Sequence, residues 1–356
     1  MKIALFLYSL GPGGAERQAS LLLKELARRY EVELVLVHDR IFYKLPPNVG
    51  VTLLDDAPLI LPGWKKFAKL LPLAQKYAQF CKERSIDLSI SFMNRPNYIA
   101  ILSRLFDNRA RLVVSERGSP SHYYQGLSGE VSKWLIKRLY PKADIVVANS
   151  AGNQEDLERN FGIENVSLIP NMFDIDHIRT LAQEPIPAQD RALFEGFTFI
   201  TVGRLDRGKN QELLIRALHQ AGLDAKLLII GEGPLKSYLE NLIHDLNMQD
   251  RVFLLGAKTN PFAYLARSDT FLFGSRNEGF PNVLVEALAC DLPVISTDCP
   301  SGPAEILQDR YGILVPVDSL PQMAQAMERL YQDGNLRRKY STIALERARD
   351  FSIEKV

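Results

Sequence analysis

The sequence has few cysteines, almost no net charge and no long apolar run, and each shortage excludes a class of protein. Cys81, Cys290 and Cys299 lie far apart without a CxxC pair, which excludes a disulfide framework and a zinc site and favours a reducing cytoplasm. The formal net charge of +1 at pH 7 argues against a nucleic-acid partner bound through bulk positive charge. No run reaches the ~18 uninterrupted apolar residues of a membrane span. We interpret the apolar run after Met1 as a buried strand rather than a signal peptide.

The chain is long enough for two domains, because 356 residues are roughly twice the commonest domain size. Its 46% hydrophobic and 24% charged residues are ordinary for a globular protein. Short apolar runs alternate with amphipathic stretches in both halves, which is typical of parallel sheets covered by helices on both faces. We therefore expect an α/β fold of two doubly wound, Rossmann-like domains that face a central ligand cleft.

The alternation loosens once, between residues 172 and 196, where Pro185 and Pro187 stand among scattered charges. This predicts a first domain over 1–171, a linker over 172–196 and a second domain over 197–340. Residues 341–356 have the composition of the start of another helix, for which packing back on the first domain is one option. We expect the natural chain to be able to continue beyond Val356.

Two glycine loops directly follow predicted strands. Gly13 and Gly14, in "SLGPGGAER", stand between the first strand and the first helix, where helix N–H groups can receive an anion. A tight turn explains this loop equally well, because its spacing is not GxGxxG. Gly231, in "GEGPLK", repeats the arrangement in the second half of the chain.

A basic loop, "VGRLDRGKN", follows the first strand of the second half. Its Arg204 and Lys209 come at the carboxyl end of a parallel sheet, where doubly wound folds bind their ligands. Two cations there would suit a diphosphate. The alternative is a solvated basic turn, because surface Arg and Lys are common.

The stretch "NEGFPNVLVEAL" holds two carboxylates eight positions apart, Glu278 and Glu286. The turn residues Gly279 and Pro281 precede a predicted helix that starts near Asn282, and its first-turn amides suit phosphate oxygens. The two carboxylates flank this helix start and can accept hydrogen bonds from the hydroxyls of a sugar or a ribose. Hydroxyls, a diphosphate and a ribose together predict a nucleotide sugar as ligand.

The motifs "GPGGAE", "GRLDRGKN", "GEGP", "SRNEGFPNVLVEALACDLPVISTD" and "SGPAEIL" resemble the retaining glycosyltransferase family 4, of the GT-B fold, over essentially the whole chain. The resemblance implies that Arg204 and Lys209 bind the donor diphosphate, Glu278 the transferred sugar and Glu286 the ribose. Arg204, Lys209 and Glu278 are its catalytic members. The implied donor-binding set is Gly13, Gly14, Arg204, Lys209, Gly231, Glu278, Gly279, Phe280, Pro281, Asn282, Val283 and Glu286.

A narrower resemblance is carried by "IALFLYSLGPGGAER", "NRPNYIAILSRLF" and "LYPKADIVVANSAGN". They are similar to enzymes that extend undecaprenyl-diphosphate-linked oligosaccharides for bacterial protein N-glycosylation, which implies transfer of N-acetylgalactosamine from UDP-GalNAc. Transfer of another UDP-hexose or N-acetylhexosamine to a lipopolysaccharide or capsule precursor is the alternative. An NAD-dependent oxidoreductase and a GT-B nucleotide-sugar epimerase are alternatives of another class, although the first loop lacks the dinucleotide spacing.

The resemblance implies a hexosyltransferase that retains anomeric configuration and needs no cofactor or metal, since cations and a helix terminus can assist the departing diphosphate. Asp174 and Asp176 have DxD spacing but fall in the predicted linker, so we expect turn or N-cap duty there. Many family members carry a histidine after the fifth strand of the first domain. Here Glu116 and Arg117 stand in that region, as candidates for acceptor contact or for a strand-end ion pair.

Residues 62–84, "PGWKKFAKLLPLAQKYAQFCKER", interleave apolar side chains with Lys65, Lys66 and Lys69. With Trp64, this pattern suits an apolar boundary covered by anionic headgroups, and an ordinary covering helix, kinked at Pro72, fits equally well. The expected partners are a UDP-sugar, an undecaprenyl-diphosphate-linked glycan and a membrane surface. The expected location is the cytoplasm, peripheral on the inner face of the plasma membrane.

Overall fold

The computed structural model describes residues 1–55 and 67–356, which fall into two units, Met1–Asn171 and Met172–Val356. Among the helices within those ranges, none is both long and apolar enough for a membrane crossing.

The first unit contains one parallel sheet, with the described strands in the order β3-β2-β1-β4-β5-β6-β7. The strands are β1 (Lys2–Leu7), β2 (Glu31–Leu36), β3 (Gly50–Leu53), β4 (Leu88–Phe92), β5 (Arg111–Glu116), β6 (Ile145–Ala148) and β7 (Val166–Leu168). The helices are α1 (Gly14–Leu26), α2 (Leu70–Glu83), α3 (Asn94–Leu102), α4 (Pro120–Tyr123), α5 (Gly126–Leu139) and α6 (Ala151–Phe161), with 3₁₀ turns at Ser103–Phe106 and Tyr140–Lys142.

The first strand shows why this sheet is buried on both faces. Leu5 packs in one apolar cluster with Leu34, whereas Phe6 packs in another with Val35, because successive side chains point to opposite faces of a strand. Both faces are covered, so β1 has an almost continuous apolar sequence rather than an alternating one.

The second unit repeats this architecture, with its described strands in the order β10-β9-β8-β11-β12-β13, all parallel. The strands are β8 (Phe197–Val202), β9 (Ala225–Ile230), β10 (Val252–Gly256), β11 (Thr270–Phe273), β12 (Val294–Thr297) and β13 (Ile313–Val315). The helices are α7 (Ile175–Ala182), α8 (Gln211–Ala221), α9 (Lys236–Asp245), α10 (Phe262–Leu265), α11 (Asn282–Ala289), α12 (Pro303–Leu307), α13 (Leu320–Gln332) and α14 (Gly334–Arg349), with a 3₁₀ helix at Ala188–Phe194.

Both sheets confirm the predicted α/β class of two doubly wound, Rossmann-like domains. In the second sheet the chain leaves β8 toward β9 and β10, then returns to the other side of β8 with β11. Loops that follow two such strands border a crevice at the carboxyl edge of the sheet, where open α/β sheets bind ligands. Here these are the loops 203–210 and 274–281.

Residues 172–196, which the sequence analysis assigned to a linker, contain α7 and a 3₁₀ helix in the second unit. Ile175 and Ile178 are 4% and 1% exposed, and they pack in the same core cluster as Leu284 of α11. Asp174 caps α7, since its Oδ1 accepts the N–H of His177 at 3.1 Å. Pro185 and Pro187 follow this short helix closely, so its apolar spacing covers too few residues to indicate a helix from the sequence.

The last helix begins earlier than the sequence indicated, at Gly334 rather than after residue 340. Asp333 caps it through the N–H groups of Asn335 and Leu336. Beyond the helix, Phe173 pairs with the end of the chain in parallel fashion: its N–H donates to Phe351 at 2.8 Å, and its carbonyl accepts from Ile353 at 3.1 Å. Backbone hydrogen bonds therefore join the start of the second unit to its last residues.

Candidate functional site

Lys209 and Glu278, from the two loops at the crevice of the second sheet, lie in direct contact. The Lys209 Nζ is 2.6 Å from the Glu278 Oε1, and the two side chains are 29% and 12% exposed. The ammonium also lies 5.7 Å from the centre of the Phe273 ring. The residues expected to bind a diphosphate and a sugar are thus adjacent, within reach of solvent.

The loop that carries Lys209 is fixed by hydrogen bonds of its own. The Asp206 Oδ1 accepts the N–H groups of Gly208 and Lys209, each at 3.0 Å. Arg276 clamps the loop from the other side, donating its Nη1 to the carbonyl of Arg207 at 2.7 Å. Sequence reasoning missed Asp206 and Arg276 as positioning residues, although the Asp-x-Gly spacing is a turn signal that indicates the first of them.

Arg204 is presented to solvent beside this loop. Its side chain is 70% exposed, and its Nε lies 3.7 Å from the Asp206 Oδ2, too far for a hydrogen bond. An exposed ion pair of this kind contributes little to stability, so Asp206 holds Arg204 only weakly. The Arg204 guanidinium is therefore accessible to an anionic ligand.

Gly231 and Gly233 let two loops pack backbone against backbone. Gly231 has φ +146, and a β-carbon there would overlap the carbonyl oxygen of Gly203. A β-carbon on Gly233 would overlap the carbonyl oxygen of Leu205, whose N–H donates to Glu232 at 3.0 Å. Gly231, expected at the donor, thus has a packing role that supports the loop of Arg204 and Lys209.

Helix α11 begins at Asn282, as the sequence predicted, and its N-cap residue, Pro281, makes no side-chain hydrogen bond to the first turn. Glu286 lies in the second turn and is only 5% exposed. A buried carboxylate amid Leu284, Val285 and their apolar neighbours is unusual unless a polar partner or ligand meets it.

The turn before this helix is built into the core of the second unit. Phe280 is 7% exposed, and its ring centre lies 5.4 Å from that of Phe351 and 6.4 Å from that of Phe173. Gly302, with φ +110, lies against Pro281, where a β-carbon would overlap the proline ring. The expected donor-binding backbone from Gly279 to Val283 therefore starts from an anchored turn.

Three buried polar atoms around these loops have no hydrogen-bond partner in the described part of the chain: the Ser275 Oγ, the Asn277 Oδ1 and the Gln211 Oε1. Ser275 and Asn277 come directly after β11, in the loop of Glu278. Because unsatisfied buried polar groups are costly, they favour a ligand with hydroxyl or amide groups. Sequence reasoning missed them, although polar residues that directly follow a strand at the crevice are the available signal.

In the first unit, Gly13 precedes α1, which begins at Gly14. The Glu16 carboxylate folds back to this helix start, where it would meet a β-carbon on Gly13, and burial raises its pKa. The sequence correctly placed the loop between β1 and α1, but the carboxylate at its helix start had not been expected.

Glu116 and Arg117, the acceptor candidates, are turned into the first unit. Glu116 is 3% exposed and accepts the Tyr140 hydroxyl at 2.6 Å, and burial raises its pKa to about 7. The Arg117 Nη2 donates to Asn171 at 2.8 Å, its guanidinium lies 4.9 Å from the Phe92 ring centre, and burial lowers its pKa to about 10. Both side chains therefore act within their own unit in this structure.

A cavity of about 550 Å³ lies in the first unit, where β4 ends. Its wall includes Tyr8, Phe67, Leu70, Arg95, Tyr98 and Tyr124. The Arg95 guanidinium lies 5.1 Å from the Tyr8 ring centre. The cavity is thus largely aromatic, with a cation at one side.

Of the membrane candidates, Trp64, Lys65 and Lys66 lie outside the described residues. Lys69 pairs with Asp55 at 2.7 Å. Helix α2 begins at Leu70, so Pro72 falls in its first turn, where proline is tolerated, rather than at a kink.

Comparison with known families assigns each half of the chain. Residues 12–177 match the family described as Glycosyltransferase Family 4, and residues 184–347 match Glycosyl transferases group 1.

Individual relatives match along the whole chain. It is 42% identical over 360 residues to the N-acetylgalactosamine-N,N'-diacetylbacillosaminyl-diphospho-undecaprenol 4-alpha-N-acetylgalactosaminyltransferase of Campylobacter jejuni, covering 100% of this chain and 97% of that protein. An uncharacterized glycosyltransferase of Methanocaldococcus jannaschii is 34% identical, over 81% of each chain.

Solved structures share the fold. The Anabaena protein HepE in complex with UDP superposes with a TM-score of 0.79 at 23% identity, over 99% of this chain and 96% of that one. Sucrose-phosphate synthase from Thermosynechococcus elongatus gives 0.82 at 20% identity, over 99% and 95%.

Proposed function

The chain belongs to the family 4 glycosyltransferases, and on that premise we propose that it transfers N-acetylgalactosamine from UDP-GalNAc to a glycan carried on undecaprenyl diphosphate. The observation that carries this proposal is the 42% identity, over the full chain, to the Campylobacter jejuni enzyme whose name states that transfer and that acceptor. An oxidoreductase and an epimerase are not favoured, since both halves of the chain match glycosyltransferase families.

The donor sits at the crevice of the second unit in this proposal. Lys209 and Arg204 bind the diphosphate, Glu278 binds the sugar and Glu286 binds the ribose. The contact of 2.6 Å between Lys209 and Glu278 supports this order, because the sugar and its phosphate are directly bonded and their binding groups must be neighbours. The N-terminus of α11 supplies further N–H donors for phosphate oxygens.

The reaction breaks the bond between the sugar C1 and the phosphate oxygen, and forms one between C1 and an acceptor hydroxyl oxygen on the same face. The hydroxyl proton passes to the departing phosphate, so the products are an α-glycoside and UDP. Lys209, Arg204 and the helix amides stabilise the charge that develops on the diphosphate. These groups allow the step without a metal. Because the acceptor carries a lipid, the enzyme works as a peripheral protein at the cytoplasmic membrane surface.

The test is a transfer assay on the purified chain with a panel of UDP-sugars and a defined undecaprenyl-diphosphate-linked disaccharide, read by product mass. We expect the mass of one or more N-acetylhexosamines to be added from UDP-GalNAc, with EDTA leaving the rate unchanged. Preference for another UDP-sugar would refute UDP-GalNAc as the donor. Transfer only to a lipopolysaccharide precursor would refute the undecaprenyl-diphosphate-linked glycan as the acceptor. A rate that EDTA abolishes would refute the metal-free step.

A further inference from the structure

Helix α5 carries an apolar stripe on its outer side. Leu127, Val131 and Trp134 are 92%, 43% and 59% exposed. Their spacing of four and three residues places them on one face of the helix. Tyr123, 72% exposed, precedes the helix at the same end as Leu127. Single exposed apolar residues are ordinary, but an aligned row with a tryptophan marks an interaction surface.

Cationic side chains accompany this stripe. The helix holds three cations, Lys133, Lys137 and Arg138, and one carboxylate, Glu130, which pairs with Lys133 at 2.9 Å. Arg138 follows Trp134 by four residues and so extends the stripe itself, and Lys137 lies beside it. Both are exposed. The face is therefore apolar along its centre and positively charged toward its carboxyl end.

We propose that α5 lies flat on an anionic membrane surface, with Leu127, Val131 and Trp134 at the boundary of the acyl chains and with Lys137 and Arg138 on lipid phosphates. An amphipathic helix with a tryptophan and a cationic flank binds such surfaces by apolar burial and charge together. None of these residues belongs to the basic segment 62–84 named in the sequence. This docking deepens the proposed function and rests on it only for the identity of the acceptor.

The opposite face of α5 lines a cavity that membrane docking would bring close to the lipid surface. Gly129 and Ser132, on that face, line the cavity of about 550 Å³ in the first unit. A β-carbon on Gly129 would lie 2.6 Å from the backbone of Tyr124, so glycine lets the cavity wall close against the helix. With α5 on the bilayer, a lipid-linked acceptor reaches the cavity over the width of one helix.

A protein partner fits this surface less well. A stable protein interface buries about 800 Å² on each partner, whereas the stripe is one helix row of three apolar side chains. Positive charge beside an apolar row complements a continuous anionic surface without needing a matched shape.

Vesicle co-sedimentation of the full chain, without substrates, tests the proposal. With equal parts of phosphatidylglycerol and phosphatidylcholine, we expect Leu127→Ser with Trp134→Ser to weaken binding at least about tenfold. Lys137→Glu with Arg138→Glu should weaken it by roughly fivefold or more. The matched controls are Leu105→Ser, at a side chain 68% exposed on another part of the same unit, and Lys339→Glu on the second unit.

Fluorescence supplies an independent measurement. The chain has two tryptophans, so Trp64→Phe leaves Trp134 as the sole reporter, and its emission should shift to the blue when vesicles are added. Unchanged emission, or α5 variants that sediment like the wild type, would overturn the proposal. A dimer in solution that Leu127→Ser with Trp134→Ser disrupts would overturn it too, in favour of self-association.

The experiments distinguish failure of the proposed transferase function from failure of the proposed membrane docking by α5. A disaccharide on diphosphate with a short, water-soluble prenyl chain needs no membrane, so the α5 variants should transfer to it at the wild-type rate. If the wild type binds vesicles as expected but transfers to neither acceptor, the proposed function fails and the docking surface stands.

Discussion

In the proposed function, Lys209 is already paired with a carboxylate when the donor arrives. Because the Glu278 oxygen at 2.6 Å partly neutralises the ammonium, a diphosphate must compete for it when it binds. The pair therefore keeps Lys209 in place in the absence of donor. In the proposed function, the two residues should also respond differently to UDP and to a UDP-sugar.

Lys209→Met should lower kcat/KM by about 100-fold to 1,000-fold, because in the proposed function it removes a charge that stabilises the departing diphosphate. Steady-state kinetics with UDP-GalNAc measure this loss. Lys236→Met is the matched control, since Lys236 pairs with Glu240 at 3.8 Å on an exposed helix face. A Lys209 variant as active as that control would remove Lys209 from the reaction.

Glu278→Gln and Glu286→Gln should separate sugar binding from nucleotide binding. UDP has no sugar, so Glu278→Gln should leave UDP affinity unchanged or raise it by freeing Lys209, while transfer falls. Glu286→Gln should weaken UDP by about tenfold, the loss of a charged hydrogen bond to the ribose. Titration calorimetry with UDP measures both affinities. Weaker UDP binding by Glu278→Gln, with unchanged binding by Glu286→Gln, would exchange the roles of the two residues.

Glu116 should make the stability of the first unit depend on pH. Burial raises its pKa from 4.5 to about 7, so between these values the folded state keeps a proton that the unfolded state releases. Stability is therefore lost as pH rises through this window, by up to about 3 kcal/mol, and Glu116→Gln should not lose it. Unfolding followed by tryptophan fluorescence in Trp64→Phe reports on this unit through Trp134 alone.

The matched control for that measurement is Glu164→Gln, at an exposed position of the same unit. It should keep the wild-type dependence on pH. Identical pH profiles for Glu116→Gln and the wild type would show that the Glu116 carboxyl does not titrate in this window.

Residue types and loop positions were predictable from the sequence, whereas side-chain directions were not. That Lys209 and Glu278 follow neighbouring strands is implied by the doubly wound pattern, yet nothing in it shows that their side chains meet. Arg204 has the same loop and charge as Lys209 but is 70% exposed. The interior position of Glu116 depends on Tyr140, which lies 24 residues away in the sequence.

At the scale of elements, the loops after β8 and β9 behave as one piece. The N–H of Gly203 donates to Ile230 at 2.9 Å, and the N–H of Leu235 donates to Leu205 at 3.0 Å. The glycines between these bonds allow the loops to touch. The position of Lys209 therefore depends on residues that touch no ligand in the proposed function.

Gly233→Ala should destabilise the second unit by about 1 to 3 kcal/mol or more, because its β-carbon overlaps the Leu205 backbone. Hydrogen exchange over 203–210 and 230–235 should lose protection, and UDP affinity should fall with it. Gly334→Ala is the control, since its β-carbon would meet only the flexible ends of two side chains, Arg337 at 3.5 Å and Arg338 at 3.9 Å. Wild-type protection in Gly233→Ala would show that the loops can separate.

Long periodic elements were easier to predict than short ones. The stretch "QELLIRALHQA" has helical apolar spacing throughout and is α8 from its first residue to its last, whereas β3 has only four residues, too few to show a pattern. The eight-residue α7 was assigned to a linker, because its apolar spacing covers little more than two turns before the prolines.

At the scale of the whole chain, the end of the sequence completes the second unit beside the expected donor turn. Phe351 contacts Phe280, and the backbone of Phe173 bonds with Phe351 and Ile353. The fold class was predictable because it depends on repeated patterns. This closure joins residues more than 170 positions apart, which periodicity cannot reveal.

Ending the chain after Asp350 should therefore destabilise the second unit by several kcal/mol, since a buried aromatic and two backbone bonds are lost. Amide hydrogen exchange over residues 172–182 and 278–290 measures this loss of stability. A chain that ends after Glu354 is the control: it keeps both bonds of Phe173, and it loses the exposed pair of Lys355 with Asp350 and the terminal turn bonds of Lys355 and Val356 to Ser352. Equal stability of the two would show that the pairing does not hold the unit together.

The same pairing sets an order of events during synthesis on the ribosome. All the described strands of the first unit precede Phe173, so that unit can fold while translation continues. Phe173 itself waits until every strand of the second unit and α14 have been made before Phe351 emerges to meet it. During that interval the rings of Phe173 and Phe280 are open to chaperones, and the second unit is complete only after Ile353 has emerged from the ribosome.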